Sequence, residues 1–443
     1  MNSLFTIDML STIAERGRRM VGLDRERRLS AKDMHSLADE LLSKTGEAGN
    51  VARADDLLCH YSTLDSAACT GFFRALLTDF DVDRDKLTEA AETYLADQSA
   101  RNQARLRDAS EPRRAELLRR LNMAPDGTRH LVQMRADLLQ RLKSHADLKT
   151  VDDDFARLFT AWFNRGFLVL RRIDWQTPAA ILEKIITYEA VHAIQDWDDL
   201  RRRIDLPDRR LYAFFHPALV DDPLIFVEVA LTRDIPDRIA GILADDRDVI
   251  EPEKAGTAVF YSISNCQEGL KGVSFGNFLI KQVVEELSRE LPNLKNFVTL
   301  SPIPGFRQWL SRQSSEKSGD NGDSDDDLLQ LLNSRHWMND PGTEQALKDL
   351  LMPLAAHYFL AARDHRGRVP DPVARFHLGN GARLERLNWL GDVSDRGLDQ
   401  SAGLMVNYLY DRKDIEANHE AFSNDGVIAS DAAVRKLAKA VKS

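Results

Sequence analysis

The sequence predicts an α+β protein, with a helical domain over residues 1–160 and a mixed α/β domain over residues 161–443. Three observations predict it. Up to about Leu148, apolar residues recur at three- and four-residue spacing, and strand-like alternation is absent. Beyond Phe155, short runs rich in β-branched and aromatic residues mix with helical patterns. At 443 residues the chain is too long for one small core, which leaves room for two domains and a buried site.

In the first domain, helices are expected in FTIDMLSTIAERG, AKDMHSLADELLSK, TGFFRALLTDF, LTEAAETYLADQ, RRAELLRRLNM and HLVQMRADLLQRLKSH. Pro125 and Gly127 separate the last two. Such a bundle with long polar arms reads as a scaffold or oligomerisation module. In the second domain FLVLRRI, LYAFFHP, LIFVEVALT, AVFYSIS and NFVTLS read as strands. TPAAILEKIITYEAV reads as a helix whose start is marked by Thr177 and Pro178.

Residues 311–327, SRQSSEKSGDNGDSDDD, contain no apolar residue and are expected to form a mobile loop. Asp323, Asp325 and Asp327 have the spacing of the first ligands of a calcium loop. Leu328 and Ser334, however, occupy the places of its turn glycine and closing glutamate, so the pattern fails. LLQLLNS and EQALKDLLMPLAAHYFLAA then read as helices. VARFHL and RLERLNWL read as strands around an Asn380-Gly381 turn.

Composition excludes several classes. A 43% hydrophobic and 29% charged content places the chain among soluble globular proteins. A net charge of -10 argues against broad nucleic-acid binding. No apolar run is long enough to span a bilayer. The first twenty residues read as an amphipathic helix rather than a signal, so the cytoplasm is expected. Cys59, Cys69 and Cys266 are odd in number and form no C-x-x-C pair, which suits thiols in a reducing compartment. No histidines stand at usual zinc-ligand spacing. The clusters Arg16/Arg18/Arg19, Arg201–Arg203 and Arg209–Arg210 are expected to be solvated faces or interface arms.

The segment Gly256–Phe306 carries the chemistry. It runs from an apolar strand through a glycine-punctuated loop into an amphipathic helix, then a second apolar strand and the turn SPIPGF. A Gly-rich loop at a helix N-terminus holds phosphate through its bare N–H groups. Gly272-Val273-Ser274-Phe275-Gly276 formally matches the G-x-S-x-G nucleophile elbow, but the polar stretch NCQEGLK separates the strand from Gly272. A phosphate loop, a plain helix-entry turn and an elbow thus compete. Ser301 is restrained to extended conformations by Pro302, and is either a site hydroxyl or a turn hydroxyl bonded to its own backbone. His377 lies between apolar residues beside the Asn-Gly turn, and is either a structural histidine or a proton donor. His192 is a weaker, structural case.

These residues resemble the malonyl-CoA decarboxylase family. The resemblance is carried by YSIS, QEGLKGVSFGNFLIKQVVEEL, LSPIPGF, AVHAIQDW, His365-Arg366-Gly367, PVARFHLGNGA, NWLGDVSDRG and GLMVNYLY, between about Trp162 and Tyr410. It implies a helical domain followed by a GCN5-related acetyltransferase-like (GNAT) mixed α/β catalytic domain. It implies a coenzyme A cradle at Lys271, Gly272, Val273, Ser274, Phe275, Gly276 and Asn277, and catalytic roles for Ser301, His377 and Tyr410. Ser274 stands where some relatives carry a glutamate. The resemblance also implies malonyl-CoA as substrate, no metal or organic cofactor, and self-association to a dimer or tetramer. The competing readings are an acyltransferase on the same fold, a noncatalytic malonyl-CoA sensor, and a hydrolase using Ser274.

Overall fold

A computed structural model describes residues 3–21, 31–273, 279–317 and 322–441. The chain divides into two compact units. The first gathers Met1–Val169, Phe214–Leu224 and Cys266–Phe275; the second gathers Leu170–Ala213, Ile225–Asn265 and Gly276–Ser443.

The first unit holds α1 (Ser3–Val21), α2 (Ala31–Ser43), α3 (Glu47–Tyr61), α4 (Ser66–Thr78), α5 (Arg84–Ala96), α6 (Ala100–Ala109), α7 (Arg113–Leu121), α8 (Gly127–Arg141) and α9 (Lys149–Trp162). All six expected helical stretches are helices. Their starts follow capping chemistry: Asp65, Asp83 and Ser99 accept the N–H of Ala68, Lys86 and Asn102. The three- and four-residue apolar spacing buries Leu57, Phe73, Leu76, Leu118, Leu131, Leu138, Phe155 and Phe159.

The polar arms of this unit do not all reach solvent. Arg114 is buried between Asp154 at 2.6 Å and Asp81 at 2.8 Å, and Arg135 is buried against Asp152 at 2.8 Å. Burying either guanidinium without its aspartate would leave an uncompensated charge.

Beyond α9 the chain, mostly in the second unit, runs β1 (Val169–Ile173), α10 (Ala179–Tyr188), α11 (Trp197–Ile204), β2 (Arg209–Phe215), β3 (Pro223–Thr232), α12 (Ala240–Leu243), β4 (Thr257–Asn265), α13 (Leu279–Glu290), β5 (Asn296–Thr299) and β6 (Ser301–Pro302). It continues with α14 (Phe306–Lys317), α15 (Gly322–Ser334), α16 (Pro341–Leu360), α17 (Pro372–Gly379), β7 (Arg383–Asn388), α18 (Asp395–Ser401), β8 (Met405–Leu409), α19 (Ile415–Asp425) and α20 (Ala432–Lys439). One eight-stranded sheet carries the order β1-β2-β3-β4-β5-β8-β6, with β7 on β8. The α+β class is therefore as expected.

The register near the middle of this sheet positions Thr299, Ser301 and Tyr408. β3 and β4 are antiparallel, with a bulge that leaves Tyr261 unopposed between the pairs Glu228–Ser262 and Val229–Phe260. β4 and β5 are parallel only over Thr257–Phe260 and Asn296–Thr299. β5 meets β8 at a single pair, Val298–Leu409, and β6 then pairs Ser301 with Val406. Val298 and Leu300 join the apolar cluster of Val259, Tyr261, Met405 and Leu409. Thr299 and Ser301, alternating with them, point to the other face.

Three expectations are corrected. VARFHL is not a strand: Asp371 accepts the Ala374 N–H as N-cap and Pro372 sits at the first helical position, so Pro372–Gly379 is helix. Residues 311–317 and 322–327, expected in a mobile loop, lie within α14 and α15, whereas 318–321 are outside the described residues. LLQLLN supplies the apolar spacing of the second half of α15, with Leu332 buried, and a helix so anchored extends toward Gly322 at little further cost. Lastly, the arginine clusters are not all solvated. Arg18 is buried against Asp55 and Asp56, Arg203 against Asp199 and Glu228, and Arg210 against Glu290, while Arg209 donates to the Ile242 carbonyl.

Candidate active site

The site is assembled from three backbone positions in the second unit. β5 and β6 supply Thr299 and Ser301, two residues apart on one face. β8 supplies Tyr408, and Tyr410 follows directly after that strand with the same two-residue offset. α17 supplies His377 in its last turn.

Each position is fixed locally. The Thr299 carbonyl accepts from Asn407 Nδ2 at 2.8 Å, and the Tyr410 N–H donates to the Phe297 carbonyl at 2.8 Å. The N–H groups of Asn380 and Ala382 both donate to the His377 carbonyl at 3.1 Å, ending the helix there. Gly381 follows at φ +83°, where a Cβ would lie 2.0 Å from the Ile415 carbonyl oxygen, so only glycine fits. The Asp371 carboxylate caps α17 and also accepts the N–H of Gly305, in the turn that follows Ser301. One buried carboxylate thereby ties the segment bearing Ser301 to the helix bearing His377.

The side chains converge. Ser301 Oγ lies 3.3 Å from His377 Nε2 and donates to Thr299 Oγ1 at 2.9 Å. His377 Nδ1 lies 2.7 Å from the Tyr410 hydroxyl. The Tyr408 ring stacks on the imidazole at 4.6 Å and 26°. Phe260 meets Tyr410 edge-on. Ser301 is 5% exposed, His377 3% and Tyr410 1%, so the chain of hydroxyl, imidazole and phenol is nearly dry.

Burial sets the protonation states. It pushes His377 down to about 3, since a dry pocket penalises the imidazolium. It pushes the phenols of Tyr408 and Tyr410 well above their usual range. Burial also raises Asp371 to about 6, against the opposing pull of N–H groups from Ala374, Gly305 and Val373. At neutral pH the trio Ser301, His377 and Tyr410 is uncharged.

Sequence reasoning thus named three residues that the fold brings together. It missed Thr299 and Asp371. Strand alternation in NFVTLS would have put Thr299 beside Ser301, and the Asp-Pro start of DPVARF would have flagged the cap. Of the expected coenzyme A cradle, Lys271, Gly272 and Val273 belong to the first unit, where Arg135 donates to the carbonyls of Gly269 at 2.7 Å and Lys271 at 3.0 Å. Gly272 has φ +78° and open space where a side chain would project. Ser274, Phe275, Gly276 and Asn277 lie outside the described residues. His192 is half-buried with its basicity lowered by burial, and its Nε2 has no hydrogen-bond partner among the described residues. Among the described residues, no group of three His, Cys, Asp or Glu side chains is arranged to hold a metal, and no helix is long and apolar enough to cross a membrane.

A dry, uncharged hydroxyl–imidazole–phenol chain on an α+β scaffold is the equipment of a proton-transferring enzyme. Residues 166–443 match the model of the malonyl-CoA decarboxylase C-terminal domain, and residues 80–163 that of the malonyl-CoA decarboxylase N-terminal domain. The chain belongs to the malonyl-CoA decarboxylase family. It is 38% identical over 380 residues to the mitochondrial malonyl-CoA decarboxylase of Anser anser anser, covering 78% of this chain and 75% of that protein. It is 56% identical to the crystal structure of malonyl-CoA decarboxylase from Rhodopseudomonas palustris, with a TM-score of 0.89 over 92% of this chain and 100% of that one. The corresponding structure from Agrobacterium vitis is 54% identical, with a TM-score of 0.87 over 92% of this chain and 99% of that one.

Proposed function

We propose that this protein converts malonyl-CoA to acetyl-CoA and CO2, without a metal or organic cofactor, through a thioester enolate. The observation that carries the reading is the buried chain Tyr410–His377–Ser301 at the mismatched middle of the sheet. The thioester carbonyl is its own electron sink. As the bond between the α-carbon and the carboxylate breaks, CO2 leaves and the electron pair moves onto the thioester oxygen. The pair then returns to form the new C–H bond. A dry pocket favours this, because a localised carboxylate charge is exchanged for a neutral gas and a dispersed enolate.

His377 supplies the proton and Ser301 lies between it and the substrate. An enolate carbon is far more basic than imidazole, so a neutral imidazole suffices as the acid. Tyr410 restores the proton at Nδ1, and water restores Tyr410 after turnover. The role of a positioned acid of this kind is worth roughly 10²–10⁴-fold in rate.

Lys271 to Asn277 form the coenzyme A cradle in this reading. The open backbone at Gly272 and the Arg135 latch on the carbonyls before it support that role. The single parallel pair β4–β5 in an otherwise antiparallel neighbourhood supports an acetyltransferase-like sheet. We also propose that the helical unit mediates self-association and that the enzyme works in the cytoplasm.

One assay tests the reading: incubation with malonyl-CoA and identification of the products. Acetyl-CoA with CO2 supports it. Malonate with free coenzyme A would mean a hydrolase, free coenzyme A with an acylated acceptor a transferase, and unchanged substrate a sensor. His377→Ala must lose at least a hundredfold in kcat with coenzyme A binding intact, and Ser301→Ala must lose turnover without loss of affinity.

A further inference from the structure

Thr299 is absent from the residues to which the mechanism assigns chemistry, yet its hydroxyl is fully buried at the end of the chain. A hydroxyl has two acceptor lone pairs. Thr299 Oγ1 takes the Tyr408 N–H on one at 3.2 Å, and the Ser301 O–H on the other at 2.9 Å. Ser301 has one hydrogen, and it is spent on Thr299. Its 3.3 Å contact with His377 Nε2 is then one in which Ser301 accepts and Nε2 carries the proton. A neutral imidazole carries one N–H, so Nδ1 is bare and takes the Tyr410 hydroxyl hydrogen at 2.7 Å. Every donor from Tyr410 to Thr299 points the same way.

We infer that Thr299 is a positioning residue that sets the tautomer of His377, holding it with the proton on Nε2 and so making it an acid rather than a base. The inference rests on the decarboxylase reading and says what that reading needs of the resting site. When substrate enters, the Ser301 hydroxyl turns from Thr299 onto the α-carbon. Ser301 then gives its hydrogen to that carbon and receives the Nε2 proton, while Nδ1 receives the phenol proton from Tyr410. One C–H bond forms, no group becomes imidazolium, and the negative charge of the enolate ends on the Tyr410 phenolate, which water reprotonates. Without the Thr299 acceptor, the Ser301 hydrogen would rest on Nε2. That would drive the imidazole proton to Nδ1 and leave a base facing the substrate, the arrangement a serine nucleophile requires.

The test uses the full chain labelled with 15N-histidine and three proteins: wild type, Thr299→Val and Thr299→Ser. Valine matches threonine in shape and lacks the acceptor. In wild type, the His377 signals should show the Nε2–H tautomer. In Thr299→Val they should show Nδ1–H, with kcat down at least tenfold and KM within twofold. Thr299→Ser should restore both tautomer and turnover to within threefold. An Nδ1–H tautomer in wild type overturns the inference, even if Thr299→Val fails to fold. So does unchanged turnover in Thr299→Val, or a loss of turnover with the tautomer unmoved. Wild-type product analysis is independent of all three: failure to make acetyl-CoA and CO2 would sink the decarboxylase reading while leaving the tautomer as measured.

Discussion

Lowering the pH from 7 to 5 should destabilise the second unit through His377 alone by about 2 kcal/mol. The folded state holds this imidazole neutral, its affinity for a proton pushed down to about 3 by burial. On unfolding it returns to the ordinary value of about 6.5. Below that value the unfolded chain binds the extra proton and the folded chain does not. Stability is therefore full above pH 6.5 and is lost as the pH falls toward 3. At pH 5 the loss is set by the interval from 6.5 to 5, about 1.5 pH units at 1.36 kcal/mol each, whatever the folded value below 4. The comparison is between wild type and His377→Gln, each unfolded in urea at both pH values. Asp371, His192 and His216 also titrate away from their usual values but are common to both proteins. Tryptophan fluorescence reads the relevant unit, because Trp175, Trp197, Trp309, Trp337 and Trp389 all lie in it and only Trp162 lies in the other. Wild type should lose about 2 kcal/mol more than the variant. An equal pH dependence in the two proteins would refute the dry, neutral imidazole.

Three further outcomes are expected. Tyr410→Phe removes the hydroxyl at Nδ1 and should lower kcat roughly tenfold with little change in KM, as steady-state kinetics would read. Asp371→Ala removes the cap of α17 and the tie to Gly305. It should cost about 1–2 kcal/mol in urea unfolding and depress kcat more than KM, because the Ser301 and His377 segments lose their common anchor. Arg135→Met takes from the buried Asp152 one of its two cations, Lys149 remaining at 2.8 Å, and should destabilise the first unit by about 1–3 kcal/mol, whereas Arg135→Met with Asp152→Leu should recover much of that. In the recovered double variant a raised KM for malonyl-CoA, at unchanged kcat, would report the lost hold on the Gly269 and Lys271 carbonyls.

Much of the architecture was legible because it follows one-dimensional periods. Six of the nine first-unit helices among the described residues, and strands such as LIFVEVALT, announce themselves by apolar spacing. The failures share a different cause. VARFHL looks like a strand because its apolar residues alternate, and only the capping pair Asp371-Pro372 outweighs that pattern. Arg203 and Arg210 look like solvent-facing charges until partners distant in the chain, Glu228 and Glu290, are known. Ser301 and His377 were nameable from their motifs and Tyr410 from the family resemblance, but the order of their hydrogen bonds was not. That order depends on Thr299, whose importance comes from the strand face it shares with Ser301 and from the Tyr408 N–H that fills its other lone pair.

A serine beside a histidine ordinarily signals a nucleophile and its base, and the electrostatics of this pair argue the reverse. A base must become imidazolium as it takes the serine proton. In this pocket that cation is penalised by the interval from about 6.5 to about 3, roughly 5 kcal/mol beyond an exposed imidazole, or more than a thousandfold in rate. Hydrolases offset such a penalty with a carboxylate on Nδ1. Here Nδ1 faces a phenol, which supplies a hydrogen and no countercharge. The same dryness is an advantage for losing CO2, since the charge leaves the carboxylate as the barrier is crossed and the imidazole stays neutral throughout. One physical quantity, the burial of His377, thus penalises acyl transfer and favours decarboxylation.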